Sequence, residues 1–217
     1  MFTKTRIIAG GVACFLLLGA ASCSTNQPTT GNGKPVLQSV GDSITVQATP
    51  DINTHFSGGY DVGIQATVGY DTYLQAGTIY AEAHATSPPA VEIIDLGTND
   101  AASVGVARFN GAEPAQSLTD IESRFTTFST EFPASTCVIF VNANTHVDPV
   151  KWGAANAQAI DDYFAANPAV FTHVVDWNSA WSPSYFDTAG DVHPNETGKQ
   201  ALLGLEDAAI AGCTPAS

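Results

Sequence analysis

The sequence predicts an α/β fold built on a parallel sheet, and two observations support this prediction. Short runs rich in β-branched and aromatic residues alternate along the chain with longer segments that carry helix signals. Runs such as Val138 to Val141 are apolar on both faces, as strands must be when helices cover both sides of the sheet. Strands that alternate with helices are joined by crossovers, and we therefore expect the strands to lie parallel.

Five segments have the length and composition of buried strands. In chain order they are Pro35–Val40, Tyr60–Val68, Ala90–Leu96, Thr136–Val141 and Phe171–Trp177. The commonest order for a five-stranded sheet of this kind is 2-1-3-4-5, in which a crevice opens beside strand 1. We therefore expect the loops after strands 1, 2 and 3 to meet at the carboxyl edge of the sheet.

Four segments carry helix signals. Thr119 and Glu122 have the spacing of a capping box, and Pro133 marks the end of the same segment. The predicted helices are Tyr70–His84, Thr119–Phe132, Gly153–Ala166 and Thr197–Ala211, the last with Gly212 as its C-terminal cap.

Length and charge restrict the possible functions. The chain has 217 residues, of which 44% are hydrophobic, and this is enough for one well-buried domain. Its formal net charge of −14 repels nucleic acid and anionic lipid headgroups. We therefore expect no nucleic-acid partner.

The first residues have the layout of an export signal. Lys4 and Arg6 precede the apolar run Ile7–Ala21, which is shorter than the roughly 20 residues of a membrane-spanning helix. We expect residues 1–22 to be a signal peptide and the chain to be exported.

The residue after this signal, Cys23, follows small side chains. This arrangement is similar to the lipobox of bacterial lipoproteins, although Ala20 stands where leucine is usual. We expect Cys23 to carry lipid, residues 23–34 to form a flexible tether, and the protein to be anchored on the outer face of a bacterial cytoplasmic membrane or in the cell envelope. Ordinary cleavage near Ala21 without lipid is the alternative.

The remaining cysteines form an even set if Cys23 carries lipid. Cys14 lies inside the signal, which leaves Cys137 and Cys213 in an exported chain. Because such compartments are oxidising, we expect these two residues to form a disulfide.

Ser43 is the candidate nucleophile. The apolar segment Pro35–Val40 stops at the turn Gly41-Asp42-Ser43, which places the serine hydroxyl at the carboxyl end of a strand. A serine nucleophile needs a base to accept its proton and donors to hold the oxyanion that forms. Gly69 and Asn99 follow the next two strands, and a close-approaching glycine amide and an asparagine side chain can supply such donors.

His193 is the candidate base. It lies just ahead of the last predicted helix, beside an acid, whereas His146 in the loop after strand 4 could line the crevice or simply be solvated. None of the five histidines has metal-ligand spacing, so we expect no metal and no cofactor.

These blocks together resemble, in order and approximate spacing, the four blocks of the SGNH (GDSL-like) hydrolase family. The blocks are Gly41-Asp42-Ser43, Gly69, Gly97-x-Asn99 and the late acid-x-His193-Pro194. The resemblance spans nearly all of residues 35–217. It implies a flavodoxin-like three-layer α/β/α domain with Ser43 as nucleophile and His193 as base, and an oxyanion hole formed by the Ser43 amide, the Gly69 amide and the Asn99 side chain.

The acid of the triad departs from the family pattern. The usual position, three residues before the histidine, is Gly190, and Asp191 stands only two before it. We expect Asp191 to orient His193. Asp187 and a backbone carbonyl are the alternatives.

The resemblance implies a serine esterase. We expect it to act on short acyl esters such as acetyl groups on cell-envelope glycans or glycolipids, because no insertion is long and apolar enough to bind long acyl chains. The segment from Val174 to Pro194 also looks like the SGNH domains associated with bacterial cell-surface O-acyltransferases, which implies a possible membrane acyltransferase partner. The alternatives are O-acyl transfer on the same substrates, a lipase or lysophospholipase-like esterase, and a non-catalytic glycan-binding domain.

Overall fold

The computed structural model describes residues 23–26 and 33–213, which form a twisted sheet covered by helices on both faces. The expected signal peptide lies outside the described residues. The strands are β1 (Cys23–Asn26), β2 (Val36–Gly41), β3 (Asp61–Thr67), β4 (Val91–Asp95), β5 (Cys137–Val141) and β6 (Val174–Val175).

The spatial order of the strands is β1-β3-β2-β4-β5-β6. Strands β2 to β6 pair in parallel, so the α/β class and the predicted 2-1-3-4-5 order of the parallel strands are confirmed. The last strand is much shorter than the predicted segment Phe171–Trp177, because only Val174 and Val175 pair with β5.

The edge of the sheet beside β3 carries a strand that the sequence analysis did not predict. β1 pairs antiparallel with β3, and Cys23 lies opposite Thr67. A short strand therefore occupies the start of the segment expected to be a flexible tether. The lipid on Cys23 stays a prediction.

Between residues 33 and 213, six α-helices connect and follow the strands. They are α1 (Ser43–Phe56), α2 (Thr72–Ala83), α3 (Thr98–Ser103), α4 (Leu118–Glu131), α5 (Ala154–Ala166) and α6 (Glu196–Ala211). Helices α1 and α3 were not predicted. Within the two described ranges, no helix has both the length and the apolar character to cross a membrane.

The predicted capping box of α4 was placed two residues too late. Ser117 is the N-cap, its hydroxyl accepts from the Asp120 amide, and the Asp120 carboxylate accepts from the Ser117 amide. Both pairs match the same sequence pattern, but the Ser117 pair starts the helix.

Two apolar cores cover the two faces of the sheet. On one face, Leu37, Ile93 and Ile139 contact α1 and α6. On the other face, the neighbouring residues Ile94 and Phe140 contact α2, α4 and α5. Because side chains alternate along a strand, adjacent apolar residues supply both cores, which explains the uninterrupted apolar runs in the sequence. The flavodoxin-like three-layer arrangement is confirmed.

The expected disulfide joins Cys137, the first residue of β5, to Cys213, just beyond α6. The two Cα atoms are 5.9 Å apart, and the bridge closes a loop with a sequence separation of 76 residues. It ties the amino edge of the sheet to the end of the last helix, at the opposite edge from the turn that carries Ser43.

Removing this bridge should lower the free energy of unfolding. A loop of this length is worth on the order of 4 kcal/mol in the chain-entropy model, so the double variant Cys137→Ser and Cys213→Ser should lose about that amount in urea unfolding. The matched control is wild-type protein under a reducing agent, which should lose the same amount. If oxidised and reduced wild-type protein unfold at the same urea concentration, the bridge does not stabilise the fold.

Candidate active site

The turn that presents Ser43 is held by its two neighbours. A side chain at Gly41 would place a Cβ atom 1.8 Å from the Thr45 hydroxyl oxygen, so only glycine allows β2 to turn directly into α1. Asp42 is the N-cap of α1 and accepts a hydrogen bond of 2.8 Å from the Ile44 amide. Ser43 is therefore the first residue of a helix at the carboxyl edge of the sheet, where its side chain is only partly buried.

The structure brings Ser43 and His193 together from positions 150 residues apart in the chain. The Ser43 Oγ and His193 Nε2 atoms are 2.9 Å apart, which is hydrogen-bonding distance. His193 lies on the loop between β6 and α6, which starts at the carboxyl edge of the sheet and reaches Ser43 at the same edge.

Asp191 occupies the other side of the histidine ring. Its Oδ1 atom lies 3.1 Å from His193 Nδ1 and also accepts from the Val192 amide at 2.7 Å. Burial alone would raise the pKa of Asp191, but hydrogen bonds from the His193 and Val192 amides and from the histidine ring outweigh it, and the net pKa is lowered. The carboxylate is therefore ionised at neutral pH.

Asp187, the alternative acid, has a different partner. It accepts a hydrogen bond of 3.2 Å from the Asn195 side chain, which in turn caps α6. Of the two candidate acids, the structure brings Asp191 and not Asp187 to His193.

Gly69 and Asn99 both lie at the same edge of the sheet as Ser43. Gly69 ends the loop after β3 with a φ of +80°, a conformation that favours glycine. The Asn99 side-chain nitrogen donates at 2.8 Å to Asp42 and at 2.9 Å to the Tyr70 carbonyl oxygen. Both hydrogens of this amide are thus engaged within the protein, whereas the sequence analysis expected them to face the crevice.

Arg108 links these two positions and was missed by the sequence analysis. Its guanidinium donates to the Gly69 carbonyl oxygen and, at 3.5 Å, to the Asn99 carbonyl oxygen. Ion pairs with Asp71 at 3.6 Å and Glu113 at 3.5 Å hold the guanidinium itself. One cation therefore fixes the backbone of both candidate oxyanion-hole loops. It comes from the irregular segment between α3 and α4, whose position no local sequence pattern indicates.

Several buried carboxyl groups lie behind the nucleophile. Burial raises the pKa of Asp42 well above its usual range, and the nearby Asp95 and Asp100 raise it further. Burial also raises the pKa of Asp95 to about 6, although the hydrogen bond from Thr45 opposes the shift. The floor of the site is thus a low-dielectric region that disfavours additional negative charge.

One group of side chains has metal-ligand proximity among the described residues. Atoms of Cys137, His173 and Cys213 lie within 4.8 Å of one another. The two sulfur atoms are bonded to each other, so they do not offer the thiolates that metal ions bind.

No family model and no curated protein sequence matches the chain. Several solved structures do match the chain in fold. A member of the lipolytic protein G-D-S-L family from Veillonella parvula matches with a TM-score of 0.61 and 15% identity, over 82% of this chain and 98% of that one.

Two further matches are enzymes that act on acetylated glycans or transfer acetyl groups to them. The C-terminal catalytic domain of peptidoglycan O-acetyltransferase A from Streptococcus pneumoniae has a TM-score of 0.59 and 16% identity, over 82% of this chain and 92% of that one. An acetylxylan esterase from Geobacillus stearothermophilus has a TM-score of 0.59 and 14% identity, over 86% of this chain and 98% of that one. The protein therefore has the fold that these GDSL-type hydrolases and acetyl-transferring enzymes share.

Proposed function

We propose that the protein is an SGNH-type serine esterase that cleaves short acyl esters, acetyl-like in size, from cell-envelope glycans or glycolipids. The observation that carries the proposal is the chain of contacts from Ser43 Oγ to His193 Nε2 at 2.9 Å and from His193 Nδ1 to Asp191 at 3.1 Å. Nucleophile, base and orienting acid are aligned in this order in serine hydrolases on unrelated folds.

Each of these three residues has a defined role in the reaction. His193 Nε2 accepts the proton of Ser43 as the hydroxyl oxygen attacks the ester carbonyl carbon, and it then gives this proton to the leaving alcohol. Asp191, ionised at neutral pH, accepts from His193 Nδ1 and stabilises the imidazolium that forms. Water then attacks the acyl-enzyme on Ser43, and the same residues act in the same order.

The oxyanion that forms needs donors, and we assign them to the amides of Ser43 and Gly69 and the side chain of Asn99. Asn99 currently donates to Asp42 and to the Tyr70 carbonyl oxygen. A full negative charge is a stronger acceptor than a carbonyl oxygen. We therefore infer that the Asn99 amide shifts one hydrogen from Tyr70 towards the oxyanion as the charge develops.

Acyl transfer to a sugar hydroxyl is a second candidate. The acetyltransferase domain from Streptococcus pneumoniae shares the fold, and both reactions pass through an acyl-enzyme. They differ only in whether water or a sugar hydroxyl attacks the acyl group. The acetylxylan esterase supports a short acyl group and a sugar alcohol in either case.

We also propose that the protein is exported and held in the cell envelope by lipid on Cys23. The basis is the sequence alone: an apolar run that ends in small residues before Cys23, and two later cysteines that pair with each other. The possible membrane acyltransferase partner would meet the protein at that surface.

Replacing the nucleophile should abolish hydrolysis. Ser43→Ala removes the attacking oxygen, so we expect about a 10⁴-fold or larger loss of kcat/KM for nitrophenyl acetate, with an unchanged circular dichroism spectrum. The control is Ser123→Ala, an exposed serine on α4, which should keep full activity. A Ser43→Ala protein that retains more than about a hundredth of wild-type activity contradicts the mechanism.

Replacing Asp191 and replacing Asp187 should have different effects on kcat. Asp191→Asn should lower kcat by about 10³-fold or more, because the amide favours the wrong histidine tautomer and cannot stabilise the imidazolium. Asp187→Asn is the matched control and should change kcat for ethyl acetate, which has no sugar ring to bind, by less than about threefold. A large loss at Asp187 alone would identify that residue as the acid, and little loss at either would leave a Ser43 and His193 dyad.

Lipidation can be tested by fractionation of the producing cells. Cys23→Ala should release the protein from the membrane fraction, because no acyl chain can then be attached. Cys14→Ala, within the expected signal, should leave the distribution unchanged. Membrane association that survives Cys23→Ala would place the anchor elsewhere.

A further inference from the structure

The direction of proton transfer decides where each half of an ester lies. The leaving oxygen must approach His193 Nε2 to receive its proton, while the carbonyl oxygen must face the donors near Gly69 and Asn99. The alcohol half of the substrate therefore lies on the His193 side of the site, and the acyl half lies near Ser43. Asp191 contacts His193 Nδ1, on the other side of the ring from Nε2, so a surface beside Asp191 meets an alcohol that extends past the His193 ring.

That surface contains a cavity of about 520 Å³ beside Asp191. This volume falls within the roughly 300–1,000 Å³ of ligand pockets. Its walls include Trp181, His146 and Phe186, together with the carboxylate of Asp187. The cavity thus adjoins the catalytic acid on one side and aromatic rings on the other.

The aromatic rings form a platform. The Trp181 and His146 rings stack with centroids 4.5 Å apart and planes inclined by 20°. Trp181 is half-buried and His146 is exposed, so the stack lies at the mouth of the cavity. Pyranose rings present apolar C–H groups on their faces and hydroxyl groups at their rims. A flat aromatic platform next to carboxylates suits both features.

The walls of the cavity are held before any ligand binds. The Asn178 side chain accepts from the amide of Thr145 at 3.0 Å and from its hydroxyl at 2.8 Å, which joins the His146 loop to the loop that carries Trp181. The Asp148 amide donates to the Gly190 carbonyl oxygen at 2.9 Å, which joins the same loop to the segment of Asp191. A preformed site loses less conformational entropy on binding than a mobile one.

The charge and the size of the cavity restrict which alcohols can bind in it. The described residues that line the cavity include Asp187 and Asp191 but no lysine or arginine, so a phosphorylated or uronic alcohol would be repelled. A long alkyl alcohol would need a longer apolar channel than this cavity with its carboxylate groups. A neutral sugar is the alcohol that fits.

We propose that this cavity is the leaving-alcohol subsite and that it binds a neutral sugar ring against Trp181. The position of the alcohol in this proposal rests on the proposed esterase function. The binding of sugar itself does not depend on catalysis, and the two can therefore be tested separately.

The kinetic test compares two esters that share an acetyl group and differ in the alcohol. Trp181→Ala should lower kcat/KM for O-acetylated xylo-oligosaccharides or O-acetylated chito-oligosaccharides by about tenfold, the value of one good aromatic contact. It should change kcat/KM for ethyl acetate by less than about twofold. Nitrophenyl acetate is unsuitable as the reference, because its aromatic leaving group would itself enter the cavity.

Two variants serve as controls. Trp181→Phe keeps a ring at the platform and should recover most of the activity on the sugar esters. Tyr80→Ala removes an exposed aromatic residue on α2 that stacks on His84 and does not line the cavity, and it should change neither reaction. Equal losses on both esters would mean that Trp181 acts through the fold or the triad, and no loss on either sugar ester would mean that the alcohol binds elsewhere. Both results overturn the proposal.

A binding experiment keeps the subsite testable if no ester is cleaved. Isothermal titration calorimetry of Ser43→Ala protein with non-acetylated xylotetraose and chitotetraose should show binding of at least one, and adding Trp181→Ala should weaken it about tenfold. Absence of binding by both sugars overturns the subsite. Wild-type protein that binds sugar but cleaves neither ester would contradict the esterase and support the subsite.

Discussion

One buried carboxyl group, Asp42, holds the site together. It caps α1 through the Ile44 amide and accepts from Asn99, so it joins the turn that carries Ser43 to the start of α3. Its position follows from the parallel sheet, because the carboxyl ends of β2 and β4 are neighbours. Asp42 gains these contacts at the cost of complete burial, which raises its pKa. The same residue therefore sets the geometry of the site and makes its floor unfavourable for further charge.

Two separate sets of contacts then position the groups on the two sides of Ser43. Arg108 holds the carbonyl groups of Gly69 and Asn99 on the side where the proposed mechanism places the oxyanion. The Asp191 turn holds His193 on the side where the proposed mechanism places the leaving alcohol. Ser43 lies between them at the start of α1. The loops carry the chemistry and the sheet only brings them to one edge, as in other open α/β folds.

The sequence predicted the parts of this arrangement that follow from local patterns. The position of Ser43 at a strand end was predicted because an apolar strand stops at a Gly-Asp-Ser turn. The five parallel strands were predicted because their residues are apolar on both faces. The position of the acid was harder to predict, because Asp191 stands one residue closer to His193 than the acid usually does in the family. Its Oδ1 atom accepts from two successive amides as well as approaching the ring, and this tight turn compensates for the missing residue.

Other features depend on contacts that no local pattern indicates. Helix α1 contains Pro50, which lacks an amide hydrogen and argues against a helix, yet the apolar side of α1 packs on the sheet and outweighs that penalty. The position of Arg108 depends on its ion pair with Asp71, which is distant in sequence, as well as on the nearby Glu113. The Trp181 platform likewise requires two loops to meet.

The disulfide has a consequence for resistance to proteolysis. The loop that it closes runs from Cys137 to Cys213 and contains both Asp191 and His193, while Ser43 lies outside it. Exposed loops are the usual sites of proteolytic cleavage, and the segment around Pro183 to Ala189 is largely exposed. A protease that cut the chain once there would leave the fragment with the base covalently attached to the fragment with the nucleophile. A nicked molecule would keep all of its catalytic groups in one covalent unit.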